Sequence, residues 1–303
     1  MSVTLFTPLA IVASSFGLLF AIIWVARLWL RRGDRRSPLT KGMLRGPAYS
    51  LRERIDDLSW DVAANLAIAP LLPVTIYALY LQQRLTAGAI SDVTRGTYVV
   101  ACLVAVVLVG WRMINLMRSL RDCRLGLEAE VAAAEEFNRL MQRGYFAFHD
   151  VPGDGPYNVD HVLVGPAGVF AVETKGRMKR THRLSKDGHV VQSDGVALAF
   201  PGWTEHEPIE QAHRNARWLA KWLSSAVGES TFVQPVLVLP GWFVKRTTVT
   251  GVPVFNENEV ARFLEQKREP GLTHQQIGQV CHQLDQRCRT VKSKVGRPRR
   301  QAR

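Results

Sequence analysis

The sequence predicts an α/β domain, a mixed sheet flanked by helices, preceded by a three-helix transmembrane region. Three observations carry this. The first 117 residues contain three apolar runs long enough to cross a bilayer. Beyond them, short apolar runs bounded by glycine and proline alternate with stretches of helical periodicity. The net charge of +13 is also unevenly placed: +6 in residues 1–117, −1 in 118–286 and +8 in 287–303. The body between the membrane region and the tail is therefore not broadly basic.

The three spans are read at about 6–30, 62–81 and 98–117, each near the length that about 1.5 Å per residue requires for a hydrocarbon core of about 30 Å. No basic segment precedes the first run and arginines follow it, so it reads as a span and not as a cleaved signal peptide. Asn65, Pro70 and Pro73 in the second are tolerable where helices pack together, and Arg112 in the third can snorkel to the headgroups. The loop 31–60 carries eight Lys and Arg, whereas Arg84 and Arg95 are the only ones between the second and third spans. The positive-inside rule then places that loop and everything after residue 117 in the cytoplasm and the N-terminus outside, with the bacterial inner membrane as the expected location. Residues 31–57 form a linker, partly amphipathic near 51–58.

From 118 a helix is expected to about Gln142, ending at Gly144. Strands are expected at 146–151, 159–164 and 169–174, the last two joined by the tight turn Gly165-Pro166-Ala167-Gly168, with a loop Pro152-Gly-Asp-Gly-Pro156 before them. A helix from Pro208 to Val227 follows, then strands near 232–239 and 252–255. Asn256 caps a short helix to about Gln266, and a last helix runs from Thr273 to about Arg289. The expected domains are 1–117, 118–270 and 271–303, the last comprising a helix and a basic disordered tail.

The chemistry sits on the hairpin. Side chains alternate along a strand, so Glu173 and Lys175 project the same way, and Asp160 lies across from them on the partner strand. Carboxylates in apolar runs need a cation, so two acids and a lysine at one sheet edge point to a divalent-metal site. That is the chemistry of metal-dependent phosphodiester cleavage.

With Gly126-Leu-Glu-Ala-Glu130-Val upstream and Glu207-Pro-Ile-Glu-Gln211 downstream, the hairpin resembles the PD-(D/E)xK nucleases and, among them, the nuclease-related domain NERD. The resemblance covers roughly residues 125–239. Ala129 stands where the family has glycine, and Glu207 where it has asparagine. The resemblance implies a restriction-endonuclease-like core and Glu130, Asp160, Glu173, Lys175 and Gln211 as catalytic residues. It implies Mg²⁺ or Mn²⁺ on Asp160, Glu173 and the Thr174 carbonyl, with Glu130 binding a further metal or orienting metal-bound water. Lys175 would hold or polarise the attacking water. Nucleic acid, with DNA expected, would meet the basic run Arg177, Lys179, Arg180, Arg183 and Lys186.

The tail after Arg287 reads equally as a nucleic-acid contact or as attraction to anionic lipid. Cys102, Cys123, Cys281 and Cys288 have no Cys-x-x-Cys spacing and so do not make a zinc ribbon. His161 faces away from Asp160 and reads as structural, and Trp218 with Trp222 reads as helix packing. The alternative is a membrane-tethered module that binds nucleic acid or a protein without cleaving.

Overall fold

The computed structural model describes residues 41–155, 157–179, 188–248, 250–266 and 271–292, with seven positions between 14 and 26. Most of the first expected span, Arg180, Arg183, Lys186 and the tail beyond Lys292 lie outside the described residues. The chain divides into two units. One comprises Met1–Thr40, Asp57–Ser119 and Ser293–Arg303, the other Lys41–Asp56 and Leu120–Lys292.

Within the first unit lie most of α1 (Tyr49–Ile68), all of α2 (Leu71–Ala87) and the first half of α3 (Asp92–Leu140). Pro70 lacks the N–H that would continue the helical ladder, and the chain restarts as α2 at Leu71. Among the described residues, two stretches, Tyr49–Ala87 and Asp92–Arg143, are long and apolar enough to cross a membrane. The expected spans at 62–81 and 98–117 fall on them. Their most apolar windows are unburied, with Val100, Leu103, Val107 and Trp111 exposed, unlike the core helix of a water-soluble domain. One expectation is corrected: no new helix starts at Arg118. Neither glycine nor proline interrupts residues 111–125, so α3 continues from the apolar stretch to Leu140, and a 3₁₀ turn then ends at Gly144 with φ 79°.

The second unit is built on a mixed five-stranded sheet ordered β1-β2-β3-β7-β9. β1 (Phe146–Pro152), β2 (Asn158–Gly165) and β3 (Gly168–Thr174) form an antiparallel meander. β7 (Val233–Val238) runs parallel to β3, and β9 (Val254–Phe255) parallel to β7. Alternation gives the sheet two apolar faces. Val162, Val164, Val169 and Ala171 pack with α4 (Glu207–Val227) and α6 (His274–Cys288) through Leu219, Leu223, Val280 and Leu284. Leu163, Phe170 and Val172 pack on the other side with Phe137 and Leu140 of α3 and with Val260 and Leu264 of α5 (Glu259–Gln266).

A second, four-stranded sheet was not expected from sequence. It joins β6 (Trp203–Glu205), β5 (Leu198–Phe200), β4 (Val190–Ser193) and β8 (Phe243–Arg246) in that order. Its core of Val191, Leu198, Phe200, Trp242 and Val244 closes over Leu237 and Leu239 and over Ile209 and Ala212 of α4. This sheet fixes where α4 begins, because β6 ends two residues before it.

Residues 41–56, expected as part of a loop, pack with the second unit. Met43 pairs with Val291 in an antiparallel bridge, and the Arg45 N–H donates to the Cys288 carbonyl at 3.1 Å. The last helix ends close to where it was expected, and Thr290 to Lys292, expected as the start of a disordered tail, form the segment that meets residue 43. Arg287 also lies over the rings of Trp218 and Trp222 and donates to Asp154 at 2.7 Å, which ties the 152–155 loop to α4 and α6.

Candidate active site

The end of the β2–β3 hairpin collects the site. The pairing His161↔Val172 puts the preceding Asp160 beside Glu173 on one face, towards α4. Asp160 Oδ2 accepts the Thr174 backbone N–H at 2.7 Å, which locks the two strand ends together. Lys175 Nζ lies 2.8 Å from Glu173 Oε1 and 2.9 Å from Gln211 Oε1. Glu173 Oε2 accepts from Asn215 Nδ2 at 2.7 Å. Gln211 and Asn215 are one turn apart on α4, so they reach the strand end together. Pro208 sits in that helix's first turn, where its missing N–H costs no bond, and Glu207 is an exposed acid at the N-terminus, favoured by the helix dipole.

Glu130 approaches from α3, beyond the apolar stretch 98–117, and is buried. The Ala48 backbone favours its charged form, while Glu130 Oε2 is buried with no hydrogen-bond partner. The alanine at 129 is accommodated by Gly176: a Cβ at 176 would lie 3.2 Å from the Ala129 methyl and 2.8 Å from the Leu125 carbonyl oxygen. Residue 176 is thus the glycine that lets α3 approach the strand end.

The site is electrostatically frustrated. Burial pushes the Glu130 carboxyl up to about 8, with the charges of Asp150 and Glu173 adding to the effect. Burial also lifts Asp160 well above the usual carboxylate range, reinforced by Glu173 and Glu130. Lys175 and Glu173 are both shifted upward, a contradiction for a simple ion pair, which should lower the acid. Burial resolves it. Glu173 is 1% exposed, so desolvation outweighs the ammonium's help, whereas for Lys175 burial is overcome by Glu173 and Asp160. Lys175 stays charged, and three carboxyls share too little positive charge.

Of the residues singled out from sequence, Glu130, Asp160, Glu173, Lys175 and Gln211 converge here. Thr174 is on the α3 side of the strand, its Oγ1 buried without a partner. Arg177 is committed elsewhere: it grips Glu205 through three contacts of 2.7–3.0 Å and so braces the strand before α4. Lys179 donates to the Gly241 carbonyl at 2.6 Å and lies over Trp242. Arg180, Arg183 and Lys186 lie outside the described residues. Sequence reading missed Asn215, although the Gln211-x-x-x-Asn215 spacing on a helix was a usable signal. It also missed Asp150, an acid in an apolar strand. His161 is fully buried, with its Nδ1 2.8 Å from that of His149, and burial holds both rings neutral.

Among the described residues, no three His, Cys, Asp or Glu side chains are arranged around one cation position. The donor chemistry nevertheless fits a hard divalent cation: all donors are oxygens, the carboxyls lack positive charge, and Glu130 Oε2 is an orphan in a buried place.

Residues 125–240 match the family model NERD, nuclease-related domain. No curated protein and no solved structure matches the chain. The NERD match includes all five converging residues and stops short of α6. It also leaves out residues 41–56, which pack with it.

The electrostatics predict the behaviour of Glu130→Gln in metal-free protein. A carboxyl raised from 4.5 to about 8 contributes stability that is whole below its unfolded value and is lost as pH rises through about 8. Glutamine keeps the shape and the acceptor but never charges. Thermal melts in chelator should show wild type losing ground to Glu130→Gln between about pH 5 and pH 9, by a few degrees at the alkaline end. Saturating Mg²⁺ should narrow the gap, and parallel melting curves across that range would contradict the assignment.

Proposed function

We propose that this protein is a membrane-anchored nuclease of the PD-(D/E)xK type, a phosphodiester hydrolase dependent on Mg²⁺ or Mn²⁺ that acts on nucleic acid, DNA first, at the cytoplasmic face of a bacterial inner membrane. The observation that carries the reading is the convergence of Glu130, Asp160, Glu173 and Lys175, short of positive charge, inside a segment matching a nuclease-related domain.

Asp160 and Glu173, with the Thr174 carbonyl, would hold the cation, and Glu130 would bind it or orient its water. When bound, the cation supplies charge neutralisation of the phosphate and acidification of a water. The chain's own residues do the rest. Lys175, charged and held between Glu173 and Gln211, donates to the attacking water or to a phosphate oxygen. Asn215 keeps Glu173 from rotating away. The Asp160 bond to the Thr174 N–H keeps the strand end at fixed spacing, which is the positioning that phosphoryl chemistry depends on.

The two apolar helices support anchoring, and the Lys and Arg bias of residues 31–54 supports the cytoplasmic placement of the nuclease unit. With Arg177 and Lys179 engaged within the protein, affinity for the phosphate backbone would fall to Arg180, Arg183, Lys186 and the basic tail. Anionic lipid remains the other partner that tail chemistry suits.

The test is purified full-length protein in detergent with plasmid DNA, linear DNA and RNA, in Mg²⁺, Mn²⁺ or chelator. Cleavage is expected with metal only, and none from folded Asp160→Ala. Metal-independent binding without cleavage of any substrate would favour the non-cleaving module instead.

A further inference from the structure

We propose that the segment Arg45–Ser50, clamped by the buried carboxylate of Asp150, is a working part of this site, with Asp150 a positioning residue that sets the Ala48 backbone against Glu130. The proposal rests on the nuclease reading above. It extends the site to residues about 80 positions upstream of Glu130 and outside the NERD match.

Asp150 is 3% exposed and draws four donors from three places. Arg45 Nη1 donates to Oδ2 at 3.0 Å, the Ser50 N–H to Oδ2 at 3.0 Å, the Ser50 hydroxyl to Oδ1 at 2.6 Å and Asn158 Nδ2 to Oδ1 at 2.9 Å. The Ser50 N–H belongs to the first turn of α1, where amides lack helical partners. A cap for that helix therefore comes from β1, 100 residues away. Asn158 opens β2, two residues before Asp160, so the same carboxylate ties the segment to the strand that carries a site acid.

Ala48 and Asp150 are the only non-glycine residues with positive φ among the described residues, at 54° and 48°. Such a conformation is disfavoured for any residue with a side chain and persists only where its surroundings hold it. Here the strain sits on both sides of one clamp. The fully buried Ala48 turn lies beside Glu130, where its backbone favours the charged carboxylate, and Glu130 Oε2 is left unpaired. A buried carboxylate with an unpartnered oxygen is arranged to serve a further ligand. Arg45 reinforces the clamp by also donating to the Asp150 carbonyl at 3.2 Å.

Full-length wild type, Asp150→Asn, Ser50→Ala and Asp160→Ala should be compared in detergent by cleavage kinetics, Mn²⁺ affinity and hydrogen exchange. For Asp150→Asn, kcat should fall about 10–100-fold with KM for DNA little changed. Mn²⁺ binding should weaken by a similar factor, and exchange should quicken at residues 45–50 while β2 and β3 stay protected. Ser50→Ala should move the same readouts by a smaller factor, and it decides the matter if Asp150→Asn loses protection in β2 and β3. Faster exchange at residues 45–50 with kcat and Mn²⁺ affinity unchanged would overturn the proposal and leave the nuclease reading standing. Absence of wild-type cleavage beyond that of Asp160→Ala would sink the nuclease reading. Mn²⁺ affinity then judges the clamp: weaker binding in Asp150→Asn supports it, and equal or absent binding ends it.

Discussion

If the proposed activity holds, Glu173→Ala and Lys175→Ala should each lower metal-dependent cleavage by about 10³-fold while leaving the second unit folded. The two groups form one device: Glu173 is buried and held by Asn215, and Lys175 is charged because Glu173 and Asp160 keep it so. Removing either therefore disables the other, and the double variant should be hardly worse than either single one. Additive losses would mean that the residues act separately and would count against the arrangement. Gln211→Ala should cost less, roughly tenfold, because it removes one of the two groups that hold the ammonium. Cleavage by Glu173→Ala equal to wild type, after contaminating nucleases are excluded, would end the assignment.

The hairpin was legible because its signals are local: apolar alternation, a Gly-Pro-Ala-Gly turn, and acids on adjacent strands that the hairpin pairing brings side by side. Asn256 as a cap and Thr273 as the start of α6 were legible for the same reason. Asn256 Oδ1 accepts the Glu259 N–H at 3.0 Å, and Thr273 forms a reciprocal box with Gln276. The second sheet was not, since β5 and β6 have three residues each and too little pattern to stand out from turns. Nor was the fate of Arg177. As a sequence position it belongs to a basic run, and only the fold brings Glu205, 28 residues later, within 2.7 Å. The continuity of α3 failed to show because an apolar stretch and an amphipathic one look like two helices when nothing marks their junction.

Arg45→Met should produce the largest loss of stability of any single substitution considered, about 3–5 kcal/mol, because it strands a buried carboxylate and does not merely delete an ion pair. The two side chains are 17% and 4% exposed, so water can offset little of that cost. At about 2–4 °C per kcal/mol for a unit of this size, the melting temperature of the second unit should drop by about 10 °C. Asp150→Asn alone should cost less, since its partners lose a charged acceptor but Arg45 can turn towards solvent. Combining the two should recover part of the Arg45→Met loss, a coupling of about 1–3 kcal/mol in a double-mutant cycle. Isolating the second unit without residues 41–56 incurs the same cost. A fragment beginning at Arg118 keeps Glu130, Asp160, Glu173, Lys175 and Gln211 but removes Arg45, Ala48 and Ser50, leaving Asp150 with Asn158 alone and Glu130 without the Ala48 backbone beside it. That fragment should melt lower than one in which residues 41–56 are joined by a flexible linker to residues 120–292. Equal melting temperatures would show that the segment contributes nothing to the fold it covers.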